Sequence, residues 1–275
     1  MPLAAFALAL GSAFLHALWN ILLAREQDPE PATAVAICAS VVVFAPVALL
    51  VWDVDPRVWP FIAATSLLQL TYFALLATAY RHAELSFVYP IARGLAPVLV
   101  LVVGVVALGT GATAAQALGV CSVGVGVLLV RGGGGRQRDL AGGALGLAIA
   151  STIAAYTLVD KSGIRYADPI VYLELGMAPV AVGSLVLVAL LPSGTARLRS
   201  AVRPLPALAG VISFLAYVLV LAALQRASAA SVAAVRESSV LIVAALAGSL
   251  LGERVGPLRV AGAALVVGGI ALLVL

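Results

Sequence analysis

Charge is what this sequence has least of. Only 10% of its 275 residues are Asp, Glu, Lys or Arg, against 63% hydrophobic, and a soluble domain of that length cannot cover itself with so little polar surface. Lipid is the solvent this composition implies. Cysteine and histidine are equally scarce, at two each. Cys38 and Cys121 lie inside apolar runs without the spacing of a disulfide framework or a metal site, and read as small packing residues. With only His16 and His82, and no acid-rich motif, neither a metal centre nor a nucleophile–base pair can be assembled, so the reading is of a non-enzyme without a cofactor. Lysine occurs once, at Lys161, among 16 Lys and Arg, the usage of a GC-rich bacterial genome. The surplus of +4, with a pI near 9.4, is scattered through short connections and forms no basic stripe, which argues against a nucleic-acid partner. No Lys or Arg precedes the first apolar run, so that run is expected to be a retained helix and not a cleaved signal.

What the chain has in abundance is long apolar stretches. A bilayer core of roughly 30 Å takes about 20 residues of helix, and the sequence offers spans at 2–24, 32–52, 58–80, 85–108, 113–130, 141–159, 169–191, 204–224, 228–250 and 257–275. The expected fold class is an all-α integral membrane protein with ten transmembrane helices. The glycine-rich stretch Arg131–Arg138 reads as a flexible linker, since no strand precedes it and no Lys-Ser/Thr follows. It divides residues 1–130 from 141–275, with 131–140 between. Shifted by 143, the halves match at Arg93/Arg236, Leu108-Gly109/Leu251-Gly252, Gly119/Gly262 and Gly126/Gly269. Five spans per half force the copies into opposite orientations, which gives two inverted five-helix repeats. Ten of the positive loop residues follow odd-numbered spans and four follow even-numbered ones, which by the positive-inside rule puts the odd loops in the cytoplasm and both termini outside.

Polar residues within the spans are the candidates for function, because each is costly unless it faces protein or water. His16, Trp19 and Asn20 share one face of the first span and either line a cavity or tie helices together. In Tyr89-Pro90-Ile91-Ala92-Arg93-Gly94-Leu95-Ala96-Pro97 a buried cation stands beside an interrupted helix, an arrangement suited to a carboxylate or phosphate, or else to a structural ion pair. Arg236 and Glu237 occupy the ninth span and Glu174 the seventh. The two cations balance the two acids, so local pairing could satisfy all four. Glu174, Glu237 and His16 are candidates for coupling or for a structural pair. Tyr72, Tyr156 and Tyr217 add polar-tipped aromatics, while Asp160 and Lys161 are expected at the membrane interface.

These residues resemble a known family, the EamA-type transporters of the drug/metabolite transporter superfamily. The likeness rests on Tyr89–Pro97, on Leu250-Leu251-Gly252-Glu253 followed by Gly262, Gly268 and Gly269, and on the opening His16-Ala17-Leu18-Trp19-Asn20. The resemblance implies a central cavity between two inverted repeats, alternating access, and a cavity lining of His16, Trp19, Asn20, Tyr72, Tyr89, Arg93, Tyr156, Tyr217, Arg236 and Glu237. Gly109-Thr110 departs from the pattern, which often has Gly-Glu there, and the family's cytoplasmic termini run against the loop charges. The expected function is a secondary transporter, an exporter of a small amphipathic or zwitterionic metabolite, in the inner membrane of a bacterium. A proton is the candidate coupling ion, and a monomer suffices. A flippase for a lipid-linked sugar or nucleotide-type metabolite is the alternative, and a membrane sensor or scaffold the alternative of another class.

Overall fold

The computed structural model describes residues 1–82, 85–131, 140–242 and 257–274. Eleven helices lie among them: α1 (Leu3–Leu23), α2 (Pro29–Leu50), α3 (Trp59–His82), α4 (Leu85–Val106), α5 (Ala114–Arg131), α6 (Leu140–Gly163), α7 (Pro169–Ala189), α8 (Gly194–Ala201), α9 (Pro204–Leu224), α10 (Ala229–Arg236) and α11 (Pro257–Val274). Proline opens α2, α7, α9 and α11, where its missing N–H costs nothing. Asp168 and Ser228 cap α7 and α10 by accepting from the amides of Ile170 and Ser231. Six helical stretches are long and apolar enough to cross a membrane, and shorter apolar helices lie in α4, α5 and α11. The expected ninth span breaks at Glu237, a turn between α10 and the helical residues 238–242. The Gly/Arg linker and Leu250–Glu253 lie outside the described residues.

Large apolar side chains point outward, Leu50 at 85% and Leu140 at 92% exposure, as lipid-facing helices require. Inside, small residues set the packing. Ala5, Ala9, Ala13 and Ala17 are fully buried at four-residue intervals along α1, a small-residue face of the kind that permits close helix packing, and α1 lies against α9 and α10. Where α5 meets α11, a Cβ on Gly119 would stand 2.8 Å from the Gly269 carbonyl oxygen, and one on Gly126 would stand 2.6 Å from that of Gly262. The contact is reciprocal, because Cβ atoms on Gly262 and Gly269 would meet the Gly126 and Gly119 oxygens at 2.7 and 2.6 Å. The other contacts also come in matched sets: α1 packs on α9 and α3 on α6, α2 on α9 and α3 on α7, α4 on α6 and α1 on α10.

Two loop pairings define the faces, called upper and lower. On the lower face Val54 bridges Ala167, the Asp55 amide donates to the Tyr166 carbonyl at 2.8 Å and the Asp168 amide to that of Asp53 at 3.1 Å. Arg57 lies 4.9 Å over the Tyr166 ring, which stacks on Phe61. Arg57, through its side chain and then its amide, holds the Asp55 carboxyl down at about 2, so this exposed contact is present above the ordinary value of 3.8 and is lost as pH falls through about 2.

On the upper face Arg197 of α8 pairs with Asp28 at 2.6 Å and Glu30 at 3.0 Å, and Arg203 pairs with Glu26. The Asp28 and Glu30 carboxylates raise the Arg197 guanidinium further above its already high value. Much of this pairing is open to water, so Arg197→Ala is expected to change stability by less than about 1 kcal/mol. Thermal unfolding in detergent at low and high salt checks this, and the difference should shrink as salt rises.

Candidate functional site

A cavity of about 610 Å³ is bordered beside the upper-face loops by Ala24, Glu26 and Pro29 and reaches down to Tyr156, Tyr217 and Arg236. Its size suits a small organic molecule. Both halves of the chain build it: His16, Trp19 and Asn20 from α1, Gln69, Tyr72 and Phe73 from α3, Tyr156 from α6, Phe214 and Tyr217 from α9, and Arg236 from α10. Tyr72, Tyr156 and Tyr217 form a chain of edge-to-face contacts, each pair of ring centroids 6.2 Å apart.

Arg236 sits over the face of Tyr217, 5.4 Å from its centroid, and among the described residues it forms no ion pair. Its Nε is buried without a hydrogen-bond partner among the described residues. The Tyr217 ring gives a modest cation–π contact but leaves the guanidinium's N–H groups to be satisfied from the cavity. A guanidinium placed this way can pair with a carboxylate or phosphate.

Arg93 is placed differently. Its Nε lies 3.1 Å from Glu237 Oε2, and each side chain is 4% exposed. Its Nη2 lies 3.1 Å from His16 Nε2 and 3.5 Å from Ser239 Oγ, and both of those residues border the cavity. Arg93 and Glu237 thus lie one layer behind the wall. Glu237 keeps helical dihedrals at the interruption, φ −69° and ψ −10°, and the roughly 100° between successive helical residues lets Arg236 border the cavity while Glu237 meets Arg93 of α4.

His16 joins the two layers. Trp19 Nε1 points at its Nδ1 from 3.2 Å, and the Asn20 side chain donates to its carbonyl at 2.7 Å. An indole and a guanidinium can only donate, and a neutral imidazole offers one acceptor nitrogen, so the Trp19 and Arg93 contacts cannot both be full hydrogen bonds at once.

Of the positions singled out in the sequence, His16, Trp19, Asn20, Tyr72, Tyr156, Tyr217 and Arg236 border one cavity, with Arg93 and Glu237 behind it. The Tyr89 side chain lies outside the described residues. Glu174 is buried at 8% exposure, its Oε2 lacks a hydrogen-bond partner, and it borders neither this cavity nor a second one of about 220 Å³. Gln69, Phe73 and Phe214 border the cavity without having been marked; Gln69, a lone amide in an apolar run, was the recoverable signal.

Asp160 was expected at the interface and is instead completely buried. It accepts hydrogen bonds from the Tyr172 hydroxyl at 2.9 Å and from the Tyr217 hydroxyl. Its neighbour Lys161 points to the carbonyls of Leu224 and Ala227 at the end of α9.

A bundle of apolar helices long enough to cross a bilayer, enclosing a cavity lined by both polar and apolar side chains, is the architecture of a multi-pass membrane protein. Residues 140–275, the second half of the chain, match the EamA-like transporter family, a group of membrane transporters within the drug/metabolite transporter superfamily. A solved crystal structure shares the fold, with a TM-score of 0.78 at 17% identity over 98% of each chain. No curated protein matches the sequence.

Proposed function

We propose that this protein is a secondary transporter that exports a small amphipathic or zwitterionic metabolite across the inner membrane of a bacterium, by alternating access between two inverted five-helix repeats. The observation that carries the reading is the cavity itself, which runs from Ala24, Glu26 and Pro29 beside the upper-face loops to Tyr156, Tyr217 and Arg236, while residues 53–57 pair with 166–168 on the other face. Matched helix contacts and the reciprocal glycines of α5 and α11 support the repeat, since two copies related by a two-fold axis meet through the same residues in both directions. Repeats of residues 1–130 and 141–275, joined by 131–140, make a single chain sufficient. No nucleotide-binding motif offers another source of energy.

Arg236 receives the anionic group in this reading, because Glu237 already supplies Arg93 with a counter-charge. Trp19, Tyr72, Tyr156 and Tyr217 hold the apolar part. Of the coupling candidates in the sequence, Glu237 and His16 are tied to Arg93 and Glu174 stands apart from the cavity. A flippase acting on a lipid-linked metabolite is a second reading, favoured by the 220 Å³ cavity that shares Pro29, Thr33, Ile37, Phe73 and Leu76 with the main one.

The test compares extracellular metabolites from cells carrying wild type, Arg236→Ala or empty vector at matched membrane levels. Wild type should enrich a small set of metabolites outside. Loss of one charge-assisted contact of about 1.5–3 kcal/mol should lower that export by about 10- to 100-fold in Arg236→Ala. Wild type equal to vector removes the exporter reading, and a lipid-linked species in the outer leaflet selects the flippase.

A further inference from the structure

The cavity ends on Tyr217, and behind Tyr217 lies a group that cavity-lining residues do not explain. Asp160 is 0% exposed in the last turn of α6, three residues from Gly163, where the helix gives way to the loop paired across the lower face. The Tyr172 hydroxyl of α7 donates to one carboxylate oxygen and the Tyr217 hydroxyl of α9 to the other. Asp160 therefore binds three helices together between the cavity floor and the closed face. Thr65 of α3 lies near the same carboxylate, its buried hydroxyl making no hydrogen bond among the described residues, and Arg236 of α10, resting on the Tyr217 ring, supplies the facing cation. On its own helix, Lys161 turns away to the end of α9 and Tyr156 stands one turn above, against Tyr217.

We propose that Asp160 is the proton-binding site of the transport cycle, and that its protonation unlatches Tyr217 and Tyr172 and so releases the lower face. The inference rests on the alternating-access reading above and assigns its coupling ion. A carboxylate accepts at both oxygens, whereas a carboxylic acid carries a donor on one of them. A proton arriving from water at the lower face and bonding to one oxygen confronts the tyrosine O–H that was donating there, and that hydroxyl must turn away or reverse. Because the Arg236 guanidinium lies on the Tyr217 ring, the rearrangement is felt at the cavity floor as well as at the loops. One carboxylate thereby links proton occupancy, the charge offered to the substrate and closure of the lower face.

The test needs no substrate, so it can fail while the metabolite export predicted above survives, or succeed where that export fails. Ala167→Cys, on the closed loop, is introduced into the full chain carrying Cys38→Ala and Cys121→Ala. Labelling by a membrane-impermeant maleimide is followed from pH 5 to 8 in vesicles (~5–8, bracketing physiological pH), normalised to the same thiol in unfolded protein. Labelling should rise several-fold as pH falls. Asp160→Asn should give high labelling at every pH, and Glu174→Gln should keep the parent profile. Tyr217→Phe removes a donor to the charged form and should move the labelling midpoint up by about one pH unit, which also keeps the test decisive if Asp160→Asn fails to fold. A flat parent profile, a low or still-titrating Asp160→Asn, an unmoved midpoint in Tyr217→Phe, or a profile flattened by Glu174→Gln overturns the proposal.

Discussion

Glu237→Ala is expected to cost about 3–5 kcal/mol of stability, because it leaves the Arg93 guanidinium buried without its counter-charge. Arg93 is 3% exposed as a residue, and the His16 imidazole and the Ser239 hydroxyl beside it carry no negative charge to replace the carboxylate. Removing both charges is a different experiment. Arg93→Met with Glu237→Leu exchanges an ion pair for apolar volume and is expected to restore stability to within about 2 kcal/mol of wild type, since the attraction in a buried pair largely offsets the cost of stripping its water. Thermal or denaturant unfolding of the detergent-purified proteins measures both. A single variant within about 1 kcal/mol of wild type would mean that water reaches Arg93. The double variant also separates structure from transport: stable and active, it leaves Arg93 a purely structural residue; stable and inactive, it returns Arg93 to the substrate.

Gly210→Ala should be nearly as damaging through sterics alone. A Cβ at Gly210 would stand 2.0 Å from the Ala36 carbonyl oxygen and 2.6 Å from its carbonyl carbon. These are backbone atoms of α2, so no side-chain rotation relieves the overlap. Either α2 and α9 separate along the cavity wall that Ala36 and Gly210 both border, or the chain fails to assemble. The expected cost is about 1–3 kcal/mol or more, seen as lower unfolding temperature and lower yield in the membrane. Gly268→Ala is the control, since nothing lies within 4 Å of its added Cβ, and it should change stability by less than about 1 kcal/mol. Equal effects at the two positions would show that close α2–α9 packing is not what Gly210 provides.

The sequence made the helices legible because apolar run length and proline placement are local properties. The span expected at 204–224 coincides with Pro204–Leu224. The polar positions of α1 were legible for the same reason, as an imidazole, an indole and an amide on one face of an otherwise apolar helix stand out. Pairing was not. Arg93 and Glu237 are 144 residues apart, and charge balance alone could not say which acid Arg93 meets or that Arg236 is left to the cavity. Asp160 was misread because its neighbour Lys161 and the nearby helix end look like a membrane interface; the tyrosines that bury it arrive from α7 and α9. The interruption at Glu237 had no proline or glycine to announce it, and it is a local tightening in which the Glu237 amide donates to the Ala234 carbonyl and the Val240 amide to that of Glu237.

The amino group of Met1 donates to the Leu273 carbonyl at 2.7 Å, so the described chain returns almost to its own starting point. In topological terms the bundle is a ring with a gap between adjacent ends. A polypeptide that ran from residue 140 to the end of α11, crossed that gap through a short bridge and continued from Met1 to Arg131 would call for the same helix neighbours in the same places. The helix neighbours follow from which faces pack together, and not from which half comes first along the chain.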